Sequence, residues 1–128
     1  MIDHTGIIVS DFETSRNFFT EALEPIGYKL LLEFPSSVTG STNVAGFGVP
    51  PKADFWISQG TPNSPRVHVA VRVGARALVD AFHRAALAAG GTDHGAPGLR
   101  PHYHSNYYGA FILDPDGHNI EAVCHEPE

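Results

Sequence analysis

The chain carries the same strand-then-helix signature twice, and that repetition limits its architecture more than any other feature. "HTGIIVSD" (4–11) alternates with a period of two, is rich in β-branched residues and runs straight into an amphipathic stretch. "RVHVAVRV" (66–73) does the same. His4 and His68 take equivalent places in the two units, 64 residues apart in a chain of 128. An internal duplication is the simplest account of that period. In the first unit Asp11 is placed to cap a helix from Phe12 to Leu23, with Phe12, Ser15, Phe18, Phe19 and Ala22 on one stripe and Pro25 and Gly27 ending it. Strands are expected at 28–34, 43–49 and 54–59, with "PSSVTGST" as the loop between the first two. The second unit predicts a helix over Ala75–Ala89 stopped by Gly90 and Gly91, a short strand in "DHGAPGLR", and strands at 107–114 and 119–125 around the turn Pro115–Gly117. The joint is "GTPNSP" (60–65). The expected organisation is one domain, 1–128, written as βαβββ twice, with module one at about 1–60 and module two at about 66–125.

Strand parity then sorts the side chains. His4, Gly6 and Ile8 share one face of the first strand, against Thr5, Ile7 and Val9; His68, Ala70 and Arg72 share one face of the fifth, against four valines. In the last strand Ile120 and Ala122 point one way and Glu121 the other. If the apolar faces meet the helices, His4, His68 and Glu121 all look into one concave side. A carboxylate and two imidazoles in an apolar cavity are costly unless partnered. A divalent metal partners all three, and a 2-His-1-carboxylate set, which leaves coordination positions open, suits Fe2+, Mn2+, Zn2+ or Ni2+.

Composition removes several alternatives. A formal charge of −6 and only two lysines argue against a nucleic-acid partner, which is gripped through Lys and Arg clusters. No apolar run approaches a membrane span, and the start is acidic, so neither a membrane partner nor a signal peptide is expected. Cys124 is the single cysteine, which rules out an internal disulfide and fits a reducing cytoplasm. "DPDG" lacks the later acidic positions of a calcium loop.

Three segments resemble the vicinal oxygen chelate superfamily: "DHTGIIVSDFETSRNFFTEAL", "RVHVAVRV" with its helix, and "GAFILDPDGHNIEAV". That superfamily includes glyoxalase I, extradiol dioxygenases, fosfomycin-resistance thiol transferases and bleomycin-binding proteins. The resemblance implies an α+β fold of two tandem βαβββ modules, forming a cupped mixed sheet with helices on the outer face. It implies metal ligands at His4, His68 and Glu121. It also exposes a departure: the glutamate that serves glyoxalase I as fourth ligand falls near Trp56 or Ile57, neither of which coordinates a metal, and Asp54 lies about two residues early.

The segment "RPHYHSNYYG" (100–109) offers the remaining chemistry. His102 and His104 form an HxH pair, a metal motif in cupins, but the two amphipathic helices do not fit an all-β jelly roll. They read instead as rim residues able to carry protons near neutral pH, and Tyr107 as a hydrogen-bonding partner beside Glu121. His83 and His94 read as surface residues, His118 as a turn residue, and His125 as part of the frayed end. The expected function is a small-molecule enzyme whose metal stabilises an oxyanion, with Tyr107, His102 and His104 handling protons and no cofactor beyond the metal. The alternative is a metal-free binding protein that sequesters an aromatic or cationic molecule on Phe47, Phe55, Trp56 and Tyr107. A homodimer is expected because short curved sheets leave edges to cover.

Overall fold

In the computed structural model, which describes residues 1–128, each repeat folds into its own four-stranded sheet. The first contains β1 (Thr5–Val9), β2 (Lys29–Phe34), β3 (Val44–Gly48) and β4 (Phe55–Gln59), in the order β1-β4-β3-β2. The second contains β5 (His68–Arg72), β6 (Thr92–Leu99), β7 (Tyr108–Leu113) and β8 (Asn119–Cys124), in the order β5-β8-β7-β6. Within each sheet the first and last strands pair in parallel and the other pairs are antiparallel. The βαβββ duplication and the α+β class are as the pattern predicts.

Helix α1 (Phe12–Ala22) starts where Asp11 accepts the Thr14 N–H at 3.1 Å, and it buries the predicted stripe Phe12, Ser15, Phe18, Phe19 and Ala22. A 3-10 turn at Glu24–Ile26 follows, and Gly27 closes it with φ of 87°, a left-handed conformation that glycine supplies without strain. The segment expected to be a plain loop contains a short helix, α2 (Ser36–Thr39), starting after Pro35. Helix α3 (Arg76–Ala88) buries Val79, Phe82 and Ala86. It packs on β6, β7 and β8 and also reaches α1 and the 3-10 turn. As a result Ile7, Phe19, Phe47 and Ile57 of module one join Phe82, Ile112 and Ile120 of module two in one core. Phe19 is the centre of the first half, with its ring 5.1 Å from Phe55 and 6.1 Å from Phe47.

The modules are also fastened at the outer edge of β1. Its neighbour on that side is not a strand but a set of side chains from module two and the joint. Ile8 donates its N–H to Asn63 Oδ1 at 2.9 Å and accepts from His118 Nε2 at 3.0 Å. Ser10 donates its N–H to Asp116 Oδ2 at 3.0 Å. This is one way of closing a strand edge that would otherwise present free backbone groups. His118, expected as an ordinary turn residue, is completely buried and also accepts the Val67 N–H at 3.2 Å. The two bonds fix its neutral Nε2–H tautomer.

Asp114 shapes the turn that delivers these groups. Its Oδ1 accepts from the N–H of Asp116 at 3.0 Å and of His118 at 2.8 Å, while Oδ2 is buried without a partner. Burial raises its pKa above the ordinary 3.8, against the lowering effect of those bonds. A folded pKa above the unfolded one gives stability that is complete below the unfolded value and lost as pH rises through the folded value. Asp114→Asn keeps the Oδ1 acceptor and removes the charge. Urea melts from pH 4 upward should therefore show the variant gaining on the wild type as pH increases, and a constant difference would contradict this.

Candidate active site

Glu121 sits in the middle of β8, 1% exposed, opposite Ala70 of β5 and Phe111 of β7. The register of the DPDG-led strand turns Ile120 and Ala122 into the helix-side core and Glu121 to the other face. Two groups meet its carboxylate. His68, at the start of β5, donates Nε2–H to Oε1 at 2.9 Å, and the Tyr107 hydroxyl donates to Oε2. Gly109 makes this possible: a Cβ there would stand 3.2 Å from both Glu121 Oε2 and the Tyr107 ring. Burial first, and then the hydrogen bond to Glu121, push the Tyr107 hydroxyl well above the usual phenol range. It therefore keeps its proton and acts as a donor. The His68 side chain is 51% exposed, so the buried carboxylate opens to solvent through an imidazole.

Around Tyr107 lies a shell of rings. His104 and His125 are bonded, Nε2 to Nδ1, at 2.8 Å, and the Tyr107 ring is 5.5 Å from His104 and 5.3 Å from His125. The Asn106 N–H bonds His104 Nδ1 at 3.1 Å, so His104 is the donor to His125. His102 stands further out, packed 4.2 Å from the ring of Tyr103. His125, read from sequence as part of a frayed end, is thus a member of the cluster; only the return of the chain after β8 places it there. His83 bonds Asp93 on the far side of α3, at 2.9 Å.

His4 is elsewhere. It lies just before β1, exposed, with Nδ1 bonded to Asp3 at 2.7 Å and Lys52 also at Asp3, 3.2 Å away. That pairing, with His4 first and Lys52 second, holds the Asp3 carboxyl below its ordinary range. His4 and His68 border a shared cleft of about 480 Å³, but no three His, Cys, Asp or Glu side chains come close enough to hold a metal ion. Within one chain, His4, His68 and Glu121 therefore share this side only in part: His68 is bonded to Glu121, and His4 faces His68 across the cleft without joining a three-ligand cluster. His68, Ala70 and Arg72 remain exposed on β5.

The registers resolve the position matching Glu121 in the first module. Ala70, two after His68, pairs with Glu121; Gly6, two after His4, pairs with Trp56. Trp56, not Ile57, therefore occupies it, half-buried on the open face, while Ile57 is core. Phe47 and Phe55, expected in the pocket, are instead buried against Phe19, because their strand parity matches the core side. Phe55 keeps only an edge on the His4 cleft.

Over residues 1–122 the sequence matches the glyoxalase/bleomycin resistance protein/dioxygenase superfamily. The chain belongs to that superfamily. Its fold is similar to a glyoxalase/bleomycin resistance protein from Albidiferax ferrireducens T118, with 25% identity, a TM-score of 0.74, and 95% of this chain and 97% of that one covered. It also resembles a glyoxalase I mutant from Zea mays (23% identity, TM-score 0.72), covering 95% of this chain but 46% of the maize chain. A mutant of the fosfomycin resistance protein FosX from Listeria monocytogenes, in complex with Mn(II) and 1S,2S-dihydroxypropylphosphonic acid, shares 17% identity with a TM-score of 0.68, over 96% and 88% of the two chains. The maize and Listeria likenesses show the fold alone. A comparison with curated protein sequences finds no match. No helix of this superfamily member is long and apolar enough to cross a membrane.

Of the three residues expected as donors for a divalent ion, this glyoxalase-superfamily chain brings two together. His68 and Glu121 supply an imidazole nitrogen and a carboxylate oxygen 2.9 Å apart, a combination suited to first-row metals. Tyr107 is the outer partner that orients the carboxylate. Tyr107→Phe should leave Glu121 Oε2 buried without its donor and cost about 1–2 kcal/mol, measured as a drop in the urea midpoint; no change would mean the bond contributes nothing.

Proposed function

We propose that the chain is a single-domain, metal-dependent enzyme of the vicinal oxygen chelate type, acting on a small molecule as a cytoplasmic homodimer. In this reading His4 of one protomer meets the partner's His68 and Glu121 across the interface. The observation that carries the proposal is the fully buried Glu121 carboxylate, bonded to a half-exposed imidazole on a sheet face without cover. Further support comes from the exposed Leu32 and Phe34 on β2 and the exposed His68, Ala70 and Arg72 on β5, which leave both open faces bare in a single chain.

His4, His68 and Glu121 would hold a divalent ion, which when bound would supply Lewis-acid stabilisation of an oxyanion. The protein's own groups do the rest. Tyr107, which retains its proton, orients Glu121 and offers a hydrogen-bond donor to a substrate oxygen. The exposed His104–His125 pair, bonded at 2.8 Å, offers a proton-transfer path to solvent, and His102 lies on the rim. Trp56 stands where glyoxalase I is expected to have its second carboxylate, so a proton shuttle through that position is not part of the proposal. A second reading, metal-free sequestration of an aromatic molecule, is favoured by one observation: His68 and Glu121 already satisfy each other.

Titration of chelator-stripped protein with Mn2+, Zn2+, Ni2+ and Fe2+, read by bound metal and melting temperature, separates the two. The enzyme reading expects about one ion per chain and a rise in melting temperature with metal concentration. Absence of binding by all four ions selects sequestration.

A further inference from the structure

Beside His4, on the open face of β3 and β4, is a cavity of about 590 Å³ bordered by Gly6, Val44, Ala53, Trp56 and Ser58. That volume lies within the range of small-molecule sites. Its floor is aromatic. The Trp56 indole lies over Gly46 so closely that a Cβ there would stand 2.8 Å from Cη2 and Cζ3 of the ring. On the side toward His4, Gly6 lies against Trp56: a Cβ there would make ordinary contact with the Trp56 backbone oxygen and Cβ at 3.4 and 3.6 Å. The Phe34 ring is nearly parallel to the indole, at 10° and 6.4 Å between centroids, and borders the neighbouring cavity rather than this one. Gly46 thus lets the largest side chain in the chain lie against a sheet face where it fills no core. The charged groups of the cavity are Asp3 and His4, gathered at one end.

We infer that this cavity is a ring subsite: a planar aromatic ring stacks on Trp56 and directs a hydroxyl or carbonyl oxygen toward His4. The inference rests on the reading of His4 as part of the reactive centre, and it narrows the substrate to an aromatic or conjugated ring bearing oxygen. Flat apolar rings gain from an exposed indole what puckered rings of equal size do not, because the stacking contribution depends on planarity and π density.

Trp56 is the only tryptophan, so 15N-labelled protein has a single indole N–H signal. Metal-stripped protein is titrated with 2-naphthol and with decahydro-2-naphthol, which share a carbon skeleton and hydroxyl but differ in planarity. Saturable movement of the indole signal is expected with 2-naphthol, with the saturated alcohol binding several-fold more weakly. In equilibrium dialysis, Trp56→Leu should weaken 2-naphthol binding by roughly fivefold or more. Gly46→Ala, which keeps the indole but pushes it off the sheet, should weaken it as well, and it serves should the first variant fail to fold. Equal affinity for the two alcohols, or undiminished 2-naphthol binding by the folded variants, overturns the subsite. Because no metal is present, this result is independent of the metal titration: a ring subsite without metal uptake sinks only the enzyme reading, and metal uptake without ring selectivity sinks only the subsite.

Discussion

Mixing His4→Ala chains with His68→Ala chains should restore metal binding that neither variant has alone. Each substitution removes one ligand, and each homodimer then lacks that ligand in both of its sites, so affinity should fall by roughly a hundredfold or more. In a heterodimer one site loses both imidazoles and the other keeps its full set. Differently tagged chains, unfolded together, refolded and purified through both tags, should therefore bind about half the metal of the wild-type dimer. His4 and His68 are both exposed, so neither substitution opens a cavity, and melting temperatures of the metal-free variants serve as the folding control. A site built within one chain gives no recovery, since every chain in the mixture carries a broken set. A monomer mass by light scattering, with metal bound, would also overturn the shared site.

Periodicity was a good guide wherever a side chain's fate depends on its own strand or helix. The two-residue alternation of "NIEAVCH" turns Glu121 away from Ile120 and Ala122, and the duplicated offset from the histidines narrows its counterpart to Trp56 or Ile57; pairing register then selects Trp56. The apolar stripe of α1 was legible for the same reason, since Phe18 and Phe19 recur at helical spacing. The same parity turns Phe47 on β3 and Phe55 on β4 to the core, with Ile57, and away from the pocket expected of them. β6 was harder, being rich in glycine and proline and interrupted by two register shifts, which erase the alternating pattern. Least legible was the relation of the modules. Nothing in "HTGIIVSD" or "RVHVAVRV" reveals that α1 and α3 pack together, or that His4 bonds Asp3 while His68 bonds Glu121. His118 was missed for a related reason: its burial comes from a strand 110 positions away in sequence.

That missed residue predicts the largest loss of stability. His118→Ala should destabilise the folded chain by roughly 3 kcal/mol, from two unsatisfied backbone groups and a cavity. The Ile8 carbonyl and the Val67 N–H each lose their side-chain partner, and the site is too deep for water to replace both at no cost. The loss should be concentrated at the joint, because the same imidazole touches β1 of module one and the approach to β5 of module two. Hydrogen exchange should therefore speed up at Ile8, Ser10 and Val67 more than at Ile57 or Ile112 in the two sheet interiors. Asp116→Ala, which removes the exposed bonds to Ser10, should act in the same direction with a smaller effect, about 1 kcal/mol. The two together should cost less than their sum if one fastening depends on the other, because residues in one network couple. If His118→Ala melts within 1 °C of the wild type, the imidazole does not fasten the modules, and the joint must be held by the shared core of α1 and α3 with the Asn63 and Asp116 bonds to β1 and Ser10.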